Sequence, residues 1–145
     1  METYRHILLA VDLTDEGRRV AERAAAIARH CGARLTLLHV VEHVPLDLSN
    51  DLVLAQPVEL DEELMREAEA RLAELAESLG LADAERRIEL GSTKSEIVRA
   101  ARESGADLIV VGAHERHGLA LLLGSTADAV LHGAPCDVLA VRVPR

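Results

Sequence analysis

The residues best suited to bind a ligand lie together in residues 111–126, with the sequence VGAHERHGLALLLGST. Gly112 lacks a Cβ, so a ligand can approach its backbone closely. Gly124, Ser125 and Thr126 stand where a helix is expected to begin, and the unpaired N–H groups of a helix N-terminus favour an anion. Together these residues predict a phosphate site, although each alone is also common as a turn residue or a helix cap.

Other kinds of site have less support. The chain contains no Gly-Lys-Ser/Thr P-loop, and Arg116 is the only cation within residues 111–126. No Gly-x-Ser-x-Gly elbow, paired strand-end carboxylates or Cys–His motif of known spacing occurs, so we expect a binding protein rather than an enzyme. Four histidines lack a cysteine or carboxylate at zinc-site spacing, so we expect no metal site there: His39, His43, His114 and His117.

Composition limits the class of protein. The 145 residues predict one domain, residues 1–145, whose core must be aliphatic because Tyr4 is the only aromatic residue. A net charge of -9 and a single lysine, Lys94, argue against nucleic acid as a partner. Cys31 and Cys136 fit no metal spacing and are predicted to be reduced, structural thiols.

The chain also gives an expectation about location. No apolar run approaches the roughly 20 residues that a membrane span requires. Met1 is followed by Glu2 rather than by a basic and then apolar leader. We therefore expect a soluble, cytoplasmic protein.

The elements that would position the candidate site follow from hydrophobic periodicity. Apolar runs predict five strands, at residues 6–11, 35–41, 87–90, 107–111 and 138–143. Helices are predicted from a Thr14 cap to Gly32, over residues 61–79, from a Thr93–Glu96 capping box to Gly105, and from about Ser125 to Gly133. Between His43 and Leu60 the pattern breaks down and predicts a long loop.

Alternation of strands and helices predicts a doubly wound α/β fold of Rossmann-like architecture, with a five-stranded parallel sheet. In the strand order 3-2-1-4-5 the ligand crevice lies between strands one and four, beyond their carboxyl ends. Gly112 is expected to end strand four there, facing Asp12 across the crevice.

Four segments resemble one known family. HILLAVDLT, LTLLHVVE, DLIVVGAH and HGLALLLGSTADAVLHGAPCDVLAVRV look like the universal stress proteins, and the resemblance covers essentially the whole chain. It implies a small cytoplasmic stress-response protein, usually a homodimer paired through its last strand, here beginning at Val138 and ending at Val143. One branch of the family binds ATP and another does not.

The resemblance also implies a site for ATP, with or without Mg²⁺. Asp12 and the backbone of Val40 match the adenine and ribose end, and Gly112 matches the start of the glycine loop that holds ribose and phosphates. The candidate set is completed by the remaining strand-end, loop and helix-start residues: Ala10, Val111, His114, Arg116, Gly118, Gly124, Ser125 and Thr126.

The chain departs from the ATP-binding pattern at two points. Glu115 replaces the second glycine of the loop, and only eight residues separate it from Gly124. A carboxylate about 4 Å from a phosphate charge costs about 4 kcal/mol at an effective dielectric near 20. Glu115 avoids this cost if it points into solvent, pairs with Arg116 or Arg142, or helps to hold Mg²⁺.

Three functions therefore remain open. The first is a nucleotide-binding stress module, with at most slow, incidental ATP hydrolysis. The second is a homodimeric interaction protein with a vestigial pocket, which would act through its surface and the loop between His43 and Leu60. The third, a nucleotidyl-transfer enzyme, would need a histidine pair after strand one, and residues 12–15 contain no histidine.

Overall fold

The computed structural model describes residues 3–42, 58–114 and 125–143. Within these residues five strands alternate with four helices. The strands are β1 (His6–Ala10), β2 (Arg34–Val41), β3 (Glu85–Leu90), β4 (Leu108–His114) and β5 (Asp137–Val143). The helices are α1 (Asp15–Cys31), α2 (Val58–Ser78), α3 (Thr93–Ser104) and α4 (Ser125–Gly133).

The five strands form one parallel sheet in the order β3-β2-β1-β4-β5. This order confirms the predicted topology and places the reversal of winding between β1 and β4. Leu9 of β1, for example, stands beside Leu37 of β2 and Val110 of β4. Parallel pairing requires crossover helices, and right-handed crossovers place those helices on both faces of the sheet.

Two apolar layers stabilise the sheet, one on each face. Leu9 belongs to the layer covered by α1 and α2, whereas Leu8 belongs to the layer covered by α3 and α4. Neither side chain is exposed to solvent, as the alternation of neighbouring side chains in a strand requires. Burial on both faces explains why the strands read as continuous apolar runs.

The ends of α1 follow the sequence expectation, whereas the start of α3 does not. Thr14 Oγ1 accepts a hydrogen bond of 3.2 Å from the Gly17 N–H, and Gly32 ends α1 with φ of 65°. The predicted Thr93–Glu96 capping box is wrong. Ser92 is the N-cap of α3 and makes no side-chain cap bond, while Thr93 already lies inside the helix.

Several predicted boundaries also change. β4 continues to His114, so Gly112 lies within the strand and pairs with Val141 instead of ending it. The reason is that β5 runs beside β4 over this whole length. α2 begins at Val58, so the end of the predicted loop between His43 and Leu60 is helical, and residues 43–57 lie outside the described part of the chain.

The remaining strand boundaries differ by one or two residues. β1 ends at Ala10 rather than Val11, β2 and β5 each begin one residue earlier, and β3 begins two residues earlier. Cys31 and Cys136 are both free, half-buried thiols. Among the described helices, none is long and apolar enough to cross a bilayer.

A polar cluster holds together the amino ends of β1, β2 and β4. His6 is 5% exposed, and its ring Nε2 lies 2.7 Å from Thr36 Oγ1. The Arg34 guanidinium donates to His6 Nδ1 over 3.2 Å. The Asp107 carboxylate accepts hydrogen bonds from the backbone N–H groups of Arg5 and His6.

Candidate functional site

A cavity of about 400 Å³ opens beyond the carboxyl ends of β1, β2 and β4. Its volume falls in the range of about 300–1,000 Å³ that is usual for small-molecule sites. It lies where the winding of the sheet reverses, which is where doubly wound folds bind ligands. Its lining residues are Ala10, Val11, Asp12, Gly17, Val20, Leu38, His39, Val40, Glu42, Thr93, Ile97, Val111, Gly112, Thr126 and Val143.

The structure brings together many of the candidate residues around this cavity. Those that line it are Ala10, Asp12, Val40, Val111, Gly112 and Thr126. His114 ends β4 two residues after the lining residue Gly112, and Ser125 begins α4 next to the lining residue Thr126. Glu115, Arg116, Gly118 and Gly124 lie outside the described residues.

The turn between β1 and α1 passes very close to the first turn of the helix. A Cβ built on Gly17 would lie 1.7 Å from the Asp12 carbonyl oxygen. No side chain fits at that distance, so the position requires glycine as long as Asp12 keeps its place. Gly17 therefore permits the backbone path that brings Asp12 to the cavity wall.

His39 ties the same turn to β2. Its Nδ1 lies 2.7 Å from the carbonyl oxygen of Val11, and the Val11 N–H donates to the Leu38 carbonyl over 2.7 Å. A carbonyl oxygen can only accept, so Nδ1 carries the proton in this contact. In the neutral ring, Nε2 then has a lone pair and is a hydrogen-bond acceptor.

Glu42, immediately after β2, joins the sheet to the start of α3. One carboxylate oxygen, Oε1, accepts from the Thr93 N–H over 3.0 Å and from Thr93 Oγ1 over 2.7 Å. These hydrogen bonds lower the pKa of Glu42, and the bond from the Thr93 side chain has a larger effect than the bond from the Thr93 backbone. Glu42 is thus ionised at neutral pH, and a carboxylate of this chain already occupies the N-terminus of α3.

The other end of the cavity has a different character. Gly112 of β4 and Thr126 of α4 line it, and α4 begins there. The first N–H groups of a helix lack intrahelical partners, and the helix dipole adds partial positive charge. None of the lining residues within the described part of the chain is an arginine or lysine, so backbone and hydroxyl groups supply the donors at this end.

Sequence reasoning missed four polar or special residues of this site: Gly17, His39, Glu42 and Thr93. His39 and Glu42 stand at the carboxyl end of β2, a position that the fold rule alone marks for ligand contact. Gly17 gave no sequence signal, because its role depends on a backbone approach from Asp12. In residues 3–42, 58–114 and 125–143, no three His, Cys, Asp or Glu side chains are grouped to hold a metal ion.

Comparisons with known proteins agree with this architecture. The family model described as "Universal stress protein family" matches residues 3–142. The chain is 40% identical over 144 residues to universal stress protein A homolog 2 of Coxiella burnetii, covering 99% of this chain and 98% of that protein. It is 39% identical over 138 residues to homolog 1 of the same organism, covering 95% and 96% respectively.

Two solved structures extend the comparison to three dimensions. The universal stress protein UspA from Lactobacillus plantarum is similar with a TM-score of 0.73 and 27% identity, over 98% of this chain and all of that one. A universal stress protein in complex with cAMP is similar with a TM-score of 0.63 and 28% identity, over 97% of this chain and 98% of that one.

Proposed function

Because the chain belongs to the universal stress protein family, we propose that it is a cytoplasmic, single-domain stress-response module that binds ATP between β1 and β4. It acts as a binding protein rather than an enzyme. The observation that carries this proposal is the cavity of about 400 Å³ at the reversal of the sheet, beside the start of α4.

The two ends of the cavity favour one orientation of the nucleotide. The phosphates lie toward Gly112 and the first turn of α4, because unpaired N–H groups and the helix dipole favour an anion there. The base and ribose lie toward Asp12 and Val40, away from the phosphates. The solved complex of a similar protein with cAMP supports a ligand of the adenine nucleotide class.

We further propose that the protein forms a homodimer through β5. β5 is an edge strand of the sheet, and its central residues are half-buried and apolar from Val138 to Val141. The opposite edge strand, β3, has the sequence ERRIEL and carries charges at four of its six positions. Charged edge strands resist pairing, whereas an apolar edge is suited to it.

Calorimetric titration with ATP, with and without Mg²⁺, tests the nucleotide proposal. Wild-type protein is expected to bind, and Gly17→Ala is expected to bind about 10-fold or more weakly because its methyl group forces the Asp12 backbone to move. Overpacking of this kind also lowers the free energy of unfolding by about 1–3 kcal/mol.

Gly133→Ala is the matched control. A Cβ at Gly133 would lie 3.5 Å from Val98 Cγ2, which is an ordinary contact, so this variant should bind ATP as the wild type does. Wild-type protein that takes up no ATP under either condition would refute the proposal. It would leave the β5 surface as the functional feature of the chain.

A further inference from the structure

The end of the cavity formed by β2 and α3 offers hydrogen-bond acceptors. Glu42 is a carboxylate and can only accept. His39 donates through Nδ1 to the Val11 carbonyl, which leaves Nε2 as an acceptor in the neutral ring. Both residues line the cavity.

Both hydrogen bonds that the structure shows on Glu42 come from Thr93, and the charge of Lys94 also acts on this carboxylate. Thr93 gives both its N–H and its hydroxyl proton to Glu42 Oε1. These contacts orient the carboxylate, and among the described residues they are made to Oε1, so Oε2 is the oxygen that we assign to a ligand. A group that reaches this end must therefore bring its own N–H or O–H to be bound well.

A phosphate does not fit beside Glu42, since two anions at close range repel each other. The exocyclic amino group of adenine does fit, because it is a donor that faces an ionised acceptor. Hydrogen bonds to charged groups are among the stronger ones in proteins.

We propose that Glu42, held in place by Thr93, recognises the 6-amino group of the adenine base. This inference rests on the proposed function, and it adds the residue that makes the site select an aminopurine. Glu42 is a specificity-determining residue in this assignment, and Thr93 is a positioning residue.

The test compares ATP with purine riboside 5′-triphosphate, in which hydrogen replaces the 6-amino group. Wild-type protein is expected to bind ATP at least about 10-fold more tightly than the analogue, as the loss of one charged hydrogen bond predicts. In Glu42→Gln the ratio should fall to within about threefold. The amide oxygen of glutamine still accepts from Thr93, so its NH₂ group takes the place of Oε2 and faces the 6-amino group donor to donor.

Glu77→Gln is the matched control, because it removes the same charge from the exposed surface of α2. It should keep the wild-type ratio, and thermal unfolding should show that all three proteins are folded at the temperature of the titration. The four affinities of wild type and Glu42→Gln form a double-mutant cycle that isolates the contact between Glu42 and the amino group.

Each other outcome overturns the inference in a recognisable way. Equal affinity of wild-type protein for the two nucleotides would show that the amino group is not recognised, while nucleotide binding itself would stand. A preference that survives in Glu42→Gln would assign recognition to another residue. Failure of wild-type protein to bind either nucleotide would refute the proposed function and this inference together.

Discussion

His6 is a buried titratable residue at the end of the sheet opposite the cavity. The residue is 5% exposed, and its ring has a partner on each nitrogen. Arg34 can only donate to Nδ1, so Nε2 carries the proton toward Thr36 in the neutral ring. Burial of the ring lowers the pKa of His6, and the nearby Arg34 charge lowers it further. The neutral ring is the form that fits this cluster.

Stability should consequently depend on pH. Below the ordinary histidine value of 6.5 the unfolded chain binds a proton that the folded His6 does not, so the free energy of unfolding falls as pH decreases from about 6.5 to the lowered folded pKa. For one proton the slope is at most about 1.4 kcal/mol per pH unit. Denaturant unfolding at pH 7.5 and 5.5 measures it.

His6→Gln should lose this part of the pH dependence, because an amide can donate to Thr36 and accept from Arg34 without titrating. His30→Gln is the control, since His30 is an exposed histidine near the end of α1. A wild-type protein that gains stability between pH 7.5 and 5.5, or a His6→Gln protein that keeps the wild-type slope, would contradict the assignment.

The N-termini of α1 and α3 differ in capping, because Thr14 makes a side-chain cap bond and Ser92 does not. Thr14→Ala removes the side-chain acceptor of the Gly17 N–H and should lower the free energy of unfolding by about 1 kcal/mol. Ser92→Ala removes no cap bond and should change it by less than about 0.5 kcal/mol. Chemical denaturation of both variants checks the difference, and equal losses would contradict it.

The same pair shows what sequence could predict at the scale of elements. The cap of α1 is local, because Thr14 and Gly17 are three residues apart, and the sequence pattern was sufficient to predict it. Thr93 has its partner in Glu42, 51 residues away, so no local pattern could distinguish it from a cap. The end of β4 was missed for a similar reason. Gly112 stays in the strand because it pairs with Val141 of β5, and that pairing cannot be read from the local sequence.

Several residues of the candidate site could be predicted from the strand order together with the positions at which the strands end. Asp12 and Gly112 were predicted because both lie at the reversal of the sheet, and the structure brings both to the cavity. His39 and Glu42 were missed as cavity residues because periodicity does not show that His39 turns toward the segment after β1 or that Glu42 turns toward the start of α3. The adenine assignment and the homodimer remain predictions.

At the scale of the whole molecule, the proposed dimer depends on the character of β5. Ala140→Lys places on this edge strand the kind of charge that resists edge pairing. We expect light scattering at micromolar concentration to give twice the mass of one chain for the wild type and the mass of one chain for Ala140→Lys.

Arg86→Glu on β3 is the control for a charge change at the other edge. Arg86 is exposed, and the hydrogen bond described for it joins it to the Ala82 carbonyl. This variant should keep the wild-type mass, and circular dichroism should show native helix content in both variants. A wild-type protein with the mass of one chain would refute the dimer.

The charged sequence of β3 bears on whether the protein can polymerise through the edges of its sheet. A sheet with two apolar edges could add further copies edge to edge and grow into a filament. Heterologous interfaces produce such filaments when their rotation does not close a ring. In the sheet that the structure describes, the charges of Glu85, Arg86, Arg87 and Glu89 on β3 leave β5 as the edge suited to another chain. In the proposed dimer, pairing of that edge with its own copy uses it completely, so we expect assembly to stop at two subunits and not to continue into fibres.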